Sequence, residues 1–250
     1  MRDAPTDQLY VGYLPLPVLH RRFLRWLVPA VLWGLCAAAF FWARSQHSPG
    51  DGIWDQGRPL QLSGTLISRP YPMLIVQSPS ADHEAILLVE AGKRGGEHNI
   101  AALDGRAVTV SGWPLHRDGR RMLELEPGDT ALRLEGQLSK PPAPSISLGP
   151  VTLRGEIVDA KCFLGAMKPG EGKAHKECAT LCIKGGIPPM LVEHDASGRA
   201  TYTVLAGPDG GPLEVTAHPF VGDFVEVTGE LSEQSGLRIL RLSAKNIRRL

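Results

Sequence analysis

Three of the four cysteines fall within one short stretch, residues 160–188, which reads AKCFLGAMKPGEGKAHKECATLCIKGGIP. Together with the histidine between them, the candidate residues are Cys162, His175, Cys178 and Cys182. Residues 173–184 suit one short helix that stops at two consecutive glycines. In a helix, the histidine and the last two cysteines are at positions i, i+3 and i+7 and share one face. The flexible loop before the helix can bring Cys162 opposite that face, so we predict that the four side chains meet at one point.

Three thiolates and one imidazole form a ligand set for a transition-metal ion. A Cys3His set suits a closed tetrahedral zinc site, and the same ligand types bind copper or an iron–sulfur cluster. Met167 and Met190 lie at either end of the stretch, and a thioether ligand would favour copper. A Cys-x-x-Cys-His motif is absent, which argues against covalently attached haem. The predicted cofactor is one metal ion, zinc or copper, or an iron–sulfur cluster.

The same cysteines allow two interpretations without a metal. Outside the cytoplasm cysteines usually form disulfides, and a bond from Cys162 to Cys178 or Cys182 would stabilise this long loop. One thiol would then remain free or pair between chains, because three cysteines cannot all pair within one chain. The protein would be either a structural interaction module stapled by a disulfide or a thiol–disulfide oxidoreductase with Cys178 or Cys182 as nucleophile.

The basic residues near these cysteines are interpreted as solvated surface rather than as part of the site. They are Lys161, Lys168, Lys173, Lys176 and Lys184. The earlier segment 92–96, Gly-Lys-Arg-Gly-Gly, lacks the strand–loop–helix frame and the Lys-Ser/Thr ending of a phosphate-binding P-loop. We interpret it as a turn.

An uncharged run near the N-terminus predicts a membrane anchor. Arg21, Arg22 and Arg25 precede the run Trp26–Ala43, and at about 1.5 Å per residue this run can cross a hydrocarbon core. Bulky residues at its end, Phe-Phe-Trp at 40–42, disfavour cleavage as a signal peptide. Cys36 is interpreted as a buried small hydrophobic residue of this helix, because the residues before it make a poor lipobox.

The charges beside this run predict the orientation of the chain. The basic flank precedes the run, which places the N-terminus in the cytoplasm and the main domains outside it. The predicted location is the cell inner membrane, with a single span and periplasmic or other extracytoplasmic domains. The predicted partners are the lipid bilayer and a membrane protein.

The rest of the chain is dominated by short strand-like runs and contains an internal duplication. In the first half these runs are Leu60–Ser68, Met73–Gln77, Ala85–Glu90, Ala107–Trp113 and Arg121–Glu126. Their apolar residues alternate with polar ones, as in half-buried strands. With an offset of 117 residues, segment 72–126 aligns without a gap to segment 189–243, with fourteen identities in fifty-five positions. The first strands align at an offset of 91, so the second copy carries an insertion of 26 residues that contains the cysteines.

Five strands with a hairpin between the last two resemble an OB-fold barrel, and the resemblance covers both copies. It implies a mainly β protein with two tandem five-stranded barrels, the second with a Cys/His-rich helical insert between its first two strands. The predicted segments are a cytoplasmic tail (1–22), a transmembrane signal anchor (23–43), a linker (44–58), the first barrel (59–138), a Pro-rich connector (139–150) and the second barrel (151–250) with the insert 160–188. A net charge of +1, without exposed aromatic residues interleaved with basic ones, argues against nucleic acid as a partner.

Two further resemblances concern the insert. The spacing Cys178-x3-Cys182 is similar to that of copper-delivery and copper-A electron-transfer proteins. The pattern C-x12-H-x2-C-x3-C resembles membrane-anchored bacterial proteins of unassigned role, which supports treating its four residues as a unit. We predict a binding or accessory role, such as metal handling or assembly of a membrane-bound respiratory complex, in preference to an enzyme, and we predict no catalytic residue for that role.

Overall fold

The computed structural model divides the chain into two units, Met1–Ser48 and Pro49–Leu250. It describes residues 17–46, 52–78, 83–96, 100–128, 131–135, 144–195 and 199–250. Most of the predicted cytoplasmic tail, and parts of the predicted linker and connector, lie outside these residues.

The first unit contains one helix, α1, from Val18 to Ser45. Its 28 residues give a length of about 42 Å. By this length and by its apolar composition, the helix can cross a membrane. No residue of α1 is buried, and its three tryptophans, Trp26, Trp33 and Trp42, are exposed. An apolar helix with no buried residue is compatible with the predicted lipid anchor. It begins before residue 23, where the sequence pattern placed the start of the span.

The second unit begins with a five-stranded barrel. The elements of this part are β1 (Ile53–Trp54), β2 (Leu60–Ile67), β3 (Met73–Val76), β4 (Glu84–Val89), a 3-10 turn (Ala101–Leu103), β5 (Ala107–Arg117), β6 (Arg120–Leu125) and β7 (Leu132–Leu134). The barrel closes in the order β2-β3-β4-β6-β5-β2, and all pairs are antiparallel except β4 with β6. The short strands β1 and β7 add to β5.

A second barrel repeats this topology. Its elements are β8 (Ile146–Asp159), a π-helical turn (Cys162–Ala166), α2 (Lys176–Lys184), β9 (Pro189–His194), β10 (Ala200–Ala206), a 3-10 helix (Val215–Phe220), β11 (Phe224–Gln234), β12 (Leu237–Arg241), a 3-10 turn (Ala244–Asn246) and β13 (Ile247–Arg249). The order is β8-β9-β10-β12-β11-β8, again with one parallel pair, β10 with β12. The predicted architecture of two tandem OB-like barrels, with the Cys/His insert between the first two strands of the second, is confirmed.

Each barrel has an apolar interior, and a third apolar core lies between the barrels. Alternation along β3 explains this arrangement, because successive side chains of a strand point to opposite faces. Leu74 and Val76 belong to the interior core of the first barrel, whereas Met73 and Ile75 belong to the core that also contains residues of the second barrel. The run Met-Leu-Ile-Val is continuously apolar because both of its faces are buried.

Equivalent positions of the duplication face each other across this third core. Met73 and Leu87 of the first barrel lie in it together with their counterparts, Met190 and Val204, at the offset of 117 residues. Hydrogen bonds between the two barrels also occur at equivalent pairs of positions. The backbone N–H of Ala85 donates to the carbonyl of Ser235 at 2.9 Å, and the counterparts of these two positions, Tyr202 and Asp118, bond through their side chains. The barrels therefore pack as in a two-fold dimer whose halves share one chain.

Tyr71 shows what the first barrel has in place of the insert. It lies between β2 and β3, and its hydroxyl donates to the carbonyl of Leu205 at 3.0 Å and accepts from the N–H of Leu213 at 2.8 Å. These residues flank the loop after β10. The insert of the second barrel contacts the equivalent loop after β4, residues 90–96. The same kind of contact is thus made twice, once by a tyrosine and once by the cysteine-rich insert.

Replacing Tyr71 by Phe should destabilise the second unit by about 1–3 kcal/mol, because a buried N–H and a buried carbonyl lose their partner. The measurement is urea unfolding of the full chain in detergent micelles. Tyr202→Phe is the matched control: its partner Asp118 is exposed and regains water, so we expect a smaller loss. Equal losses for the two variants would contradict the role given to Tyr71.

Candidate metal centre

The sulfurs of Cys162, Cys178 and Cys182 form a compact group at the contact between the insert and the first barrel. All three Sγ atoms lie within 4.8 Å of one another, and those of Cys162 and Cys182 are 3.9 Å apart. No disulfide joins them, and each is a free thiol. Cys162 and Cys182 are buried, while Cys178 is half-buried. The fourth cysteine, Cys36, belongs to α1 in the first unit of the chain.

Local structure on both sides of the insert positions these sulfurs. Cys162 begins the π-helical turn directly after β8, and its backbone N–H donates to Oδ1 of Asp159 at 2.8 Å. Cys178 and Cys182 occupy successive turns of α2, which brings their side chains to one face. Helix α2 ends at Gly185, where the N–H bonds back to the carbonyls of Leu181 and Cys182. The predicted helix is therefore present, although it begins at Lys176 rather than at residue 173.

His175 belongs to a second group that shares one cysteine with the first. It precedes α2, and its Nε2 lies 3.0 Å from Oδ2 of Asp159. Ligand atoms of His175, Asp159 and Cys162 are mutually within 4.8 Å, and all three residues are buried. The four predicted residues are thus divided between two adjoining groups that meet at Cys162. Binding of one ion by all four stays a prediction.

Lys93 of the first barrel contacts two of the three sulfurs. It lies in the loop after β4, and its Nζ is 2.8 Å from Sγ of Cys178 and 3.6 Å from Sγ of Cys182. Contact with these sulfurs, above all the hydrogen bond to Cys178, raises the pKa of Lys93 above its usual value. An ammonium group beside several thiols stabilises their thiolate forms, which are the forms that bind metals. The first barrel therefore supplies positive charge to a site whose sulfurs come from the second.

Backbone packing fixes the loop that carries Lys93. The N–H of Gly95 donates to the carbonyl of Gly185 at 2.7 Å. A Cβ atom at Gly185 would overlap the carbonyl of Lys93, so glycine is required for this close approach. Two glycines thus let the loop and the end of α2 touch directly, which holds the ammonium group over the sulfurs.

Lys161 links the insert to the first barrel through buried polar contacts. Its Nζ forms an ion pair with Glu124 of β6 and donates to the carbonyls of Glu90 and Gly92 at 2.9 and 2.7 Å. Lys161 is 3% exposed and Glu124 is 4% exposed. The interpretation of Lys161 as solvated surface was wrong, because its ammonium group is buried in the interface between the barrels. There, one carboxylate and two carbonyl oxygens replace water as its partners. It thereby orders the loop that presents Lys93.

Arg117 makes a second link between the insert and the first barrel. Its guanidinium lies 3.9 Å from the centre of the Phe163 ring and donates to the carbonyl of Phe163 at 3.2 Å. It also pairs with Glu171 at 3.5 Å. Stacking and hydrogen bonding of this kind suit arginine, since its planar group can do both at once. The residue after Cys162 is therefore fixed from the opposite barrel.

The thiols of Cys162 and Cys182 have opposite pKa shifts, because they share a proton in one hydrogen bond. A hydrogen bond from the thiol of Cys162, aided by Lys93, lowers the pKa of Cys182 to about 7. The same hydrogen bond, together with burial and the charge of Asp159, raises the pKa of Cys162. Above the pKa of Cys182 the metal-free pair accordingly holds a thiolate at Cys182 and a thiol at Cys162.

The spacing of the sulfurs suits one metal ion. Two thiolates bound to one ion at roughly 2.3 Å are about 3.8 Å apart in tetrahedral geometry and about 4.0 Å apart in trigonal geometry. The observed 3.9 Å between Cys162 and Cys182 agrees with both. In a cubane cluster each thiolate binds a different iron, which holds the sulfurs further apart than a shared ion does. The geometry therefore favours a single ion over such a cluster.

Comparisons with known proteins add no assignment. No protein-family model matches the chain, and neither a curated protein nor a solved structure matches it. The resemblance of the insert to membrane-anchored bacterial proteins stays a prediction.

Sequence reasoning missed Lys93, Asp159 and the buried role of Lys161. Lys93 is distant along the chain and was interpreted as part of a plain turn, and it is indeed in a turn. Its position over the sulfurs depends on how the barrels pack, which the sequence pattern did not show. Asp159 and Lys161 lie three residues and one residue before Cys162. Two charged residues shortly before a cysteine, at the end of an apolar strand, were the signal that could have identified them.

Lys161→Met should destabilise the second unit by about 3–5 kcal/mol, because Glu124 would be left buried without its partner. Adding Glu124→Leu should recover much of this loss, since no uncompensated charge then remains. Urea unfolding of both variants in detergent micelles measures the effect. A double variant as unstable as Lys161→Met alone would show that the ion pair is not the main contribution of Lys161.

Metal-free protein should acquire a first thiolate with a midpoint near pH 7, measured by ultraviolet absorbance of the thiolate under anaerobic conditions. Because the pKa of Cys182 is lowered, its thiolate is present above this midpoint and is lost as the pH falls through it. Cys182→Ser should remove the step, whereas Cys36→Ser should leave it intact. A step that survives Cys182→Ser would assign the low pKa to another thiol.

Proposed function

We propose that this protein is a membrane-anchored metal-binding protein, which holds one soft ion through the thiolates of Cys162, Cys178 and Cys182. The observation that carries the proposal is the meeting of three free sulfurs within 4.8 Å, at a spacing suited to one ion. They come from two separate parts of the insert, and Lys93 of the other barrel contacts two of them. Thiols that lie close together by chance would not need an ammonium group beside them, whereas thiolates that bind a metal ion benefit from one.

The ligand types define the class of ion. Thiolates select soft or borderline ions, chiefly Cu(I) and Zn(II). Three sulfurs complete a trigonal Cu(I) site, whereas Zn(II) adds a fourth ligand. Lys93 supports either ion, because three thiolates leave a bound Cu(I) or Zn(II) centre with net negative charge. We therefore propose Cu(I) or Zn(II) as the cargo.

Exposure of one ligand supports transfer rather than permanent structural binding. Cys178 is half-buried while the other two sulfurs are buried, so one edge of the centre is open to a partner. A thiolate or thioether of a recipient can approach this edge and exchange ligands with the ion. We propose that the recipient is a membrane protein, and assembly of a membrane-bound respiratory complex is the predicted setting. The anchor α1 would keep the centre near it, with the barrels outside the cytoplasm.

Thiol–disulfide exchange is a second candidate, favoured by the lowered pKa of Cys182 at about 7. A thiolate with such a pKa is a good nucleophile at neutral pH. The residue is 1% exposed, however, and an attacking thiolate must reach the sulfur of its substrate. Only Cys178 offers partial access. Metal binding uses all three sulfurs as they stand, and for this reason we prefer it.

Full-length protein purified anaerobically in detergent should retain at least one Cu or Zn per chain, measured by inductively coupled plasma mass spectrometry without added metal. Cys162→Ser, Cys178→Ser and Cys182→Ser should each lower the affinity at least tenfold, because each removes one of three ligands. Competition with a chromophoric chelator measures the affinity.

Cys36→Ser is the matched control, since Cys36 lies in α1 outside the centre, and it should bind like the wild type. A metal-free protein with a bond between Cys162 and Cys182, found by peptide mass mapping even after anaerobic purification, would contradict the proposal. That result would favour the oxidoreductase or the stapled module instead.

A further inference from the structure

We infer that the buried group of Asp159, Cys162 and His175 is a second metal site, and that the thiolate of Cys162 bridges two ions. The inference rests on the proposed function of the three sulfurs and adds a site beside them. Its donors are one carboxylate, one thiolate and one imidazole, mutually within 4.8 Å. Zn(II) accepts this mixture of oxygen, sulfur and nitrogen ligands.

The spacing inside the group suits ligands of one ion. Oδ2 of Asp159 and Nε2 of His175 are 3.0 Å apart. Two ligands bound at roughly 2.1 Å, the usual distance for zinc with nitrogen or oxygen, are about 3.0–3.4 Å apart at bond angles between 90° and the tetrahedral value. An ion can therefore bind both atoms with little rearrangement, at the cost of the hydrogen bond between them.

Burial and charge also favour a cation at this position. Asp159 is 0% exposed, Cys162 is 6% exposed and His175 is 4% exposed. In the described part of the chain, the carboxylate of Asp159 forms an ion pair with His175 and with no lysine or arginine. The neighbouring Lys161 is occupied by Glu124 in the first barrel. A buried carboxylate without a permanent positive partner is costly, and a bound divalent ion offsets that cost.

Cys162 is the residue that makes the two groups one centre. It belongs to both sets, so its sulfur has an ion on either side when both are filled. A sulfur that bridges two zinc ions at roughly 2.3 Å holds them no more than about 4.6 Å apart. The centre would thus contain Cys178 and Cys182 on one ion, Asp159 and His175 on the other, and Cys162 between them.

The test is the zinc content of the full-length chain in detergent, loaded anaerobically with Zn(II) under a non-thiol reductant and freed of excess metal. Wild type should hold two zinc ions per chain. His175→Ala and Asp159→Asn should each hold one, and His194→Ala, which removes an exposed histidine outside both groups, should still hold two. Circular dichroism shows whether each variant is folded.

X-ray absorption at the zinc edge of loaded wild type provides a readout that does not depend on variants. Scattering from a second zinc within about 4.6 Å is expected. One zinc per chain, with no change in His175→Ala, would overturn the second site and leave the first intact. Two zinc ions without zinc–zinc scattering would also overturn the shared thiolate. A chain that binds no zinc or copper would remove the proposed function and this inference together.

Discussion

The apolar contact between the two barrels is the interaction on which the candidate centre depends. Residues of both barrels form one core, and the insert lies against it with Cys162, Phe163 and Cys182 among its buried members. Burying apolar surface is the main favourable term in such packing, at roughly 25 cal/mol per Å². If the barrels separated, Lys93 would leave the sulfurs and Lys161 would lose Glu124. The sulfurs, the ammonium group and the ion pair are therefore consequences of one interface.

The two-fold relation between the barrels explains why the centre occurs once. Each barrel presents the connection between its first two strands to a loop of the other barrel. On one side this connection is short and Tyr71 satisfies backbone groups. On the other side it is the long insert, and the equivalent loop brings Lys93 to the thiols. A contact that is purely structural in one half of the duplication has chemically reactive residues in the other half.

Much of this fold could be predicted from the sequence, because its signals are local or repeated. Alternating apolar residues predicted the barrel strands, and the constant offset of 117 residues predicted two barrels of one topology. The predicted hairpin between the last two strands is present, and its turn residues Asp118 and Gly119 have positive φ, at 49° and 78°. The insert helix was predicted from the residues of segment 173–184 and the two glycines that follow it.

The parts that could not be predicted depend on contacts between distant segments. Continuous apolar runs such as Met73–Val76 show that both faces are buried, but they do not show what covers the outer face. The partner of Lys161 and the position of Lys93 follow only from that packing. His175 illustrates a related limit. Helical spacing predicted that His175 shares a face with two cysteines. In the structure His175 precedes α2, and its Nε2 contacts the carboxylate of Asp159.

The most direct test of the account is the number of sulfur atoms bound to the ion in protein purified with its native metal. X-ray absorption spectroscopy at the copper or zinc edge counts sulfur neighbours at roughly 2.3 Å. If Cys162, Cys178 and Cys182 share one ion, that ion has three sulfur neighbours in His175→Ala, which lacks a ligand of the second site, and adding Cys178→Ser reduces them to two. A first shell made only of nitrogen and oxygen would contradict the account.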